Sequence, residues 1–106
     1  MQAGQLRHRV RFEVHGTAKD ASGQVVDEWL PVITCWAAVE PLKGDERFDS
    51  AKQDPELSHR IRTRHTRLIK AKHRAVYDGR VFDVINVLDV GERRKQLHIM
   101  CTERQG

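Results

Sequence analysis

Apolar and charged side chains alternate one for one near the start of the chain. Leu6, Val10, Phe12 and Val14 are separated by Arg7, Arg9, Arg11 and Glu13, with His8 on the apolar side. Period two with β-branched and aromatic residues is the signature of a strand buried on one face. The pattern returns near the end, where Leu97, Ile99 and Cys101 alternate with His98, Met100 and Thr102. Between them Tyr77-Asp78-Gly79-Arg80 sets Asp-Gly between two β-like runs, the strongest short hairpin signal. Lys19-Asp20-Ala21-Ser22-Gly23 and Val90-Gly91-Glu92 mark further turns. Residues 25–34 and 33–42 read as strands, the first interrupted at Pro31, which implies an edge, a bulge or a break. Phe82, Val84, Ile85, Val87 and Leu88 continue the strand after the hairpin. About six strands joined by short turns predict a mainly β fold, a small antiparallel barrel or sandwich. With 106 residues, one domain covering the whole chain is expected.

Two segments break the pattern. Residues 43–56 hold Asp45, Glu46, Asp49, Asp54 and Glu56 against Lys43, Arg47 and Lys52, and Gly44 and Pro55 bracket the acids. Asp45 is placed to cap a short helix with Phe48, Ala51 and Lys52 on one side. The expectation is a long loop carrying that helix, and such a loop in a small domain is usually functional or disordered. Residues 57–76 are the reverse: seven of the 19 Lys and Arg residues and no acid. Arg60, Arg62 and Arg64 recur every second residue, which puts them on one strand face, with His59, Ile61, Thr63 and His65 on the other. Arg7, Arg9 and Arg11 form a second ladder of the same period. Rows of guanidinium groups suit phosphates or a partner's carboxylates, and they also suit a solvated sheet face.

No catalytic constellation is present. H-E-x-x-H, G-x-S-x-G and P-loop spacings are all missing from the sequence. His8, His59 and His65 would suit a divalent metal if they met, but solvated or hydrogen-bonded strand histidines are the better reading. No cofactor or metal is assigned, and an enzyme is not expected. Cys35 and Cys101 fit no metal or redox spacing and are read as buried thiols. Trp29 and Trp36 sit in apolar strands and are read as core. No apolar run approaches a membrane span, and no signal peptide is read at the N-terminus, so a cytosolic protein is expected. The net charge of +4 leaves a basic OB- or SH3-like nucleic-acid-binding barrel open as a function. Aromatic residues are only 6% and do not interleave with the bases, so a stacking platform is poorly supported.

Taken in order, a set of residues resembles the phage head-tail adaptor proteins, also called head-closure or head-completion proteins. The set is Gly4-x-Leu6-Arg7-His8-Arg9, a Ser22-Gly23 turn, Trp29, Trp36-Ala37-x-Val39-x-Pro41-Leu42-x-Gly44-x-Glu46, Ala51, His59, Arg64 and Tyr77-Asp78-Gly79-Arg80-x-Phe82. One departure is His65, where such proteins often carry an aromatic residue. The resemblance implies a small β-barrel with a long loop projecting into the DNA channel. It implies a dodecameric ring below the portal that closes the channel over packaged double-stranded DNA and receives the tail. Partners would be the portal and adaptor proteins and the tail-completion protein, and the place of action the bacterial cytoplasm during assembly, then the virion neck. In this sequence the matching loop holds Lys43, Gly44, Asp45, Glu46, Arg47, Phe48, Asp49, Lys52 and Asp54. The Arg60, Arg62 and Arg64 ladder is the expected docking surface, with Arg7, Arg9 and Arg11 as a second.

Overall fold

A computed structural model of the chain describes residues 6–44 and 56–105. Six strands run in chain order: β1 (His8–Lys19), β2 (Val25–Pro41), β3 (His59–Arg64), β4 (Arg74–Tyr77), β5 (Arg80–Asp89) and β6 (Gln96–Glu103). All pairings are antiparallel, and the order β1-β2-β3-β6-β5-β4 returns to β1 as a closed barrel. Closure pairs the edges that a flat sheet of this composition would expose, except along the part of β1 and β2 that runs beyond the barrel. The inward positions supply the core: Val10, Phe12, Ile61, Phe82, Ile99 and Cys101 are completely buried. Ile69, from the connection between β3 and β4, joins the same cluster.

The turns follow their residues. Asp78 and Gly79 take φ of 50° and 73° between the paired Tyr77 and Arg80, the two positive angles that a two-residue hairpin turn requires. In the β1–β2 turn the Asp20 carboxylate accepts from the Ser22 hydroxyl and from the Ser22 and Gln24 amides. A short 3-10 turn, Val90–Glu92, leads into β6, and the Asp89 carboxylate receives the Arg94 amide beyond it.

β2 differs from the expectation of two strands. It is continuous, and Pro31 sits at a bulge: Phe12 pairs with Ile33 but Glu13 pairs with Pro31, leaving Val32 as the extra residue. A bulge absorbs the missing amide of Pro31 without ending the strand. Beyond that point β1 and β2 continue as a two-stranded arm. β4 reaches β1 only over Arg11–Glu13, and β3 reaches β2 only over Ala37–Pro41.

The expectation of core tryptophans needs correcting. Trp36 points outward beside the opening between β2 and β3 and is 53% exposed. Trp29 is half-buried on the arm, covered by the Arg74 guanidinium at 4.3 Å and edge-on to His15. Cys101 is buried as read, while Cys35 is half-buried. The short helix expected in the 43–56 loop falls mostly outside the described residues.

Candidate functional site

The root of the long loop is tied to the barrel by a cluster of hydrogen bonds. The Leu42 amide donates to the Ser58 carbonyl at 3.0 Å, and the Ser58 amide donates to the Cys101 carbonyl at 3.0 Å. The Thr102 hydroxyl donates to the Glu56 carbonyl at 2.8 Å, and the Glu103 amide donates to the Ser58 hydroxyl at 2.9 Å. Leu42 and Leu57, one at each end of the loop, are buried. The loop therefore leaves and re-enters the barrel at adjacent points of β2 and β3. Lys43 and Gly44 are exposed at its start, and Gly44 takes φ of 55°, which favours glycine there. Asp45, Glu46, Arg47, Phe48, Asp49, Lys52 and Asp54 lie outside the described residues.

The first arginine ladder occupies β3 as the period predicted. Ile61 and Thr63 are buried, and Arg60, Arg62 and Arg64 take the outer face. The three do not form a uniform row. Glu40 lies opposite Arg60 on β2, and the small Ala38 lies opposite Arg62. Glu40 accepts from Arg60 Nε at 3.2 Å and from Arg62 Nε and Nη2 at 2.9 and 3.1 Å. Partial burial alone would raise the Glu40 carboxyl, but the bonds and charges of Arg62 and Arg60 outweigh it and hold the carboxyl below the usual range. Arg64, past the end of the β2 pairing, is exposed.

A carboxyl depressed in the folded state stabilises the fold above its unfolded pKa and loses that effect as pH falls through the folded value. Glu40→Gln is therefore expected to lower the melting temperature at pH 7. Its gap from the parent protein should shrink steadily below pH 4.5, the carboxyl's unperturbed value. Thermal melts across that range check this, and a gap independent of pH would refute it.

The second ladder is exposed at Arg7, just before β1, and at Arg9 and Arg11 on it. Arg11 turns back to Glu13, whose carboxylate is buried and also accepts from Arg74. Arg9 lies over the Trp36 ring at 5.3 Å. Arg9, Trp36 and Arg64 meet around a groove of about 610 Å³ with Leu6, Ile33, Thr34, Cys35, His65 and Thr66. The groove lies where β2 and the chain after β3 splay apart. Desolvation raises the Cys35 thiol here, against the opposing charge of Arg9.

The histidines take separate places. His8 Nδ1 accepts from the Val39 amide and its ring packs on Tyr77 at 4.6 Å. His59 sits against Phe82 and faces Glu103, which Arg80 grips through Nε and Nη2 at 2.8 and 2.9 Å. His65 approaches Asp89 at 4.0 Å. Among the described residues no three metal-ligating side chains gather. Burial pushes the Cys101 thiol up to about 12, with the Glu103 and Asp83 charges adding to the effect. Reasoning from sequence missed Glu40 and Glu13 as the anchors of the two ladders. The missing information was register: an acid in an apolar strand says nothing of which bases stand opposite.

Comparison with known proteins places this geometry. Residues 1–104 match the family described as phage head completion protein. Head completion protein gp7 of Enterobacteria phage HK97 is 26% identical over 106 residues, spanning 95% of each chain. The solution structure of protein SF1141 from Shigella flexneri 2a superposes with a TM-score of 0.75 at 28% identity, covering 97% of this chain and 96% of that one. A chain in the virion of a native gene transfer agent particle shares the fold, with a TM-score of 0.65 at 20% identity over 95% and 97% of the two chains.

Proposed function

The chain belongs to the phage head completion protein family, a family of virion structural proteins, and from that premise we propose that it closes the DNA channel of the filled head and carries the joining surface for the tail. The observation that carries the reading is the match across nearly the whole chain, which includes both the barrel and the 43–56 loop. The proposed assembly is a ring of twelve copies below the portal. Symmetry then repeats each loop and each charged surface around one axis, so weak contacts per subunit add up.

The root geometry suits a plug. Four hydrogen bonds fix the root of the loop to β6 and to its own two ends, so the strands that carry it are held independently of what the loop does. Its acids, Asp45, Glu46, Asp49 and Asp54, would repel DNA phosphates and limit sticking in the channel. Portal and adaptor proteins on one side and the tail-completion protein on the other are the proposed partners. Of the first ladder, Arg64 is the exposed member, while Arg60 and Arg62 are shared with Glu40. That sharing also weakens the nucleic-acid-binding alternative, because two cations of the row already face a carboxylate. Assembly in the bacterial cytoplasm and residence at the virion neck follow from this role. Among the described residues no helix is long and apolar enough to cross a membrane.

Electron microscopy of particles made without this gene tests the reading. Tail-less heads that have lost their DNA are the expected product. Heads that stay full but tail-less would leave only the joining role. Normal particles would reject both and favour the DNA-binding barrel.

A further inference from the structure

We infer that the β1–β2 arm of one copy docks into the Trp36 groove of the next copy, a contact that rests on the ring reading and supplies its interface. The arm is the part of the barrel with no sheet neighbour among the described residues. On β2 this leaves the edge open from Val25 to Trp36. A long open edge bearing apolar side chains invites a cover. Val25, Val26, Leu30 and Trp36 on that stretch are 68%, 39%, 40% and 53% exposed.

The two surfaces differ and match. Val14 pairs with Leu30, Gly16 with Glu28 and Ala18 with Val26, so all six positions stand on one face of the arm. Leu30 lies across Gly16 so closely that a Cβ there would meet its Cδ1 at 2.9 Å. The result is an apolar stripe with the Glu28 carboxylate set into it. The arm as a whole is acidic: residues 14–30 hold one lysine against Asp20, Asp27 and Glu28, in a chain of net charge +4. Asp27 and Glu28 are both exposed; Glu28 stands on the stripe face, while Asp27 stands on the other, 3.6 Å from His15. The groove offers the complement, an apolar wall of Leu6, Ile33 and Trp36 with Arg9 and Arg64 at its sides.

The arm cannot fill its own groove. Val26 and Thr34 belong to one continuous strand and stand about 26 Å apart at the ordinary rise per residue. An arm seated there therefore comes from another molecule, and a second copy carries both the apolar stripe and the Glu28 carboxylate that fit. A contact between two different patches of the same chain is head-to-tail, the type that closes into rings.

Disulfide trapping tests this. The variant Val26→Cys, Thr34→Cys, Cys35→Ser places one thiol on the arm and one in the groove. Mild oxidation of assembled particles should give a reducible ladder of multimers in which position 26 of one copy is linked to position 34 of the next, identified by peptide mapping. Adding Glu28→Lys, on the stripe face, should cut the yield several-fold, since its attraction to Arg9 and Arg64 becomes repulsion. Further adding Arg9→Glu and Arg64→Glu should restore it. Links joining only like positions, or no links in particles that contain the protein, would overturn the inference, as would a yield indifferent to the charge reversal. The same oxidation on concentrated purified protein, with its fold checked by circular dichroism, reads the contact without the particle. A link between positions 26 and 34 there, with the protein missing from particles, upholds the contact and rejects the virion role.

Discussion

Phage carrying a deletion of residues 45–54 is expected to make heads that package DNA and then lose it, while the shortened protein folds as stably as the parent. The two halves of this expectation have separate physical grounds. Stability is held by the strands, and the loop's ends already lie side by side: Pro41 pairs with His59, and the Leu42 amide reaches the Ser58 carbonyl. Shortening a connection whose ends are adjacent lowers its closure entropy, by only about 0.6 kcal/mol for each halving. The melting temperature should therefore stay level or rise slightly. On the proposed plug role, DNA retention depends on the loop, and the deletion removes the acids and Phe48 from every copy of the proposed ring at once. Microscopy of particles beside a melting curve of the purified variant separates the two effects. Full DNA retention by a stable, incorporated variant would reject the plug role.

Much of the barrel was legible as local pattern. The alternation in β1 and β6, the Asp78-Gly79 turn and the Asp20 to Gly23 turn each act within a few residues, and each sits where the pattern put it. Pairing was not legible. Glu40 is one acid in an apolar run until β2 and β3 are in register, when it faces Arg60 and reaches Arg62 across Ala38. Trp36 failed for a related reason. Its strand meets β3 only from Ala37 onward, so its large ring stands at the mouth of a gap that the sequence does not mark. Pro31 was legible as an irregularity, and the bulge that lets β2 run on through it is set by β1, far away in the chain.

Glu13→Ala is expected to be among the most damaging single changes in the barrel. The Glu13 side chain is only 8% exposed, and its carboxylate accepts from Arg74 Nε at 2.7 Å and from Arg11 Nε at 2.8 Å. Among the described residues no buried side-chain nitrogen or oxygen lacks a hydrogen-bond partner, so this site has no slack to absorb the loss. Removing one partner of a buried ion pair costs about 3–5 kcal/mol; here Arg11 is half exposed, which argues for roughly 2–4 kcal/mol. That is a large share of the stability of a small domain and should lower the melting temperature by more than about 10 °C. Arg11→Ala, by contrast, should cost under about 1 kcal/mol, because water replaces an exposed partner. The damage should also reach the arm. Glu13 sits at the bulge where the arm leaves the barrel, and it holds the Arg74 guanidinium that covers Trp29. Glu13→Ala is therefore expected to shift Trp29 fluorescence below the melting transition and to reduce arm-to-groove disulfide trapping. A variant that melts like the parent would show that water can replace the carboxylate. One that loses stability but keeps full trapping would separate the bulge's ion pair from the aim of the arm.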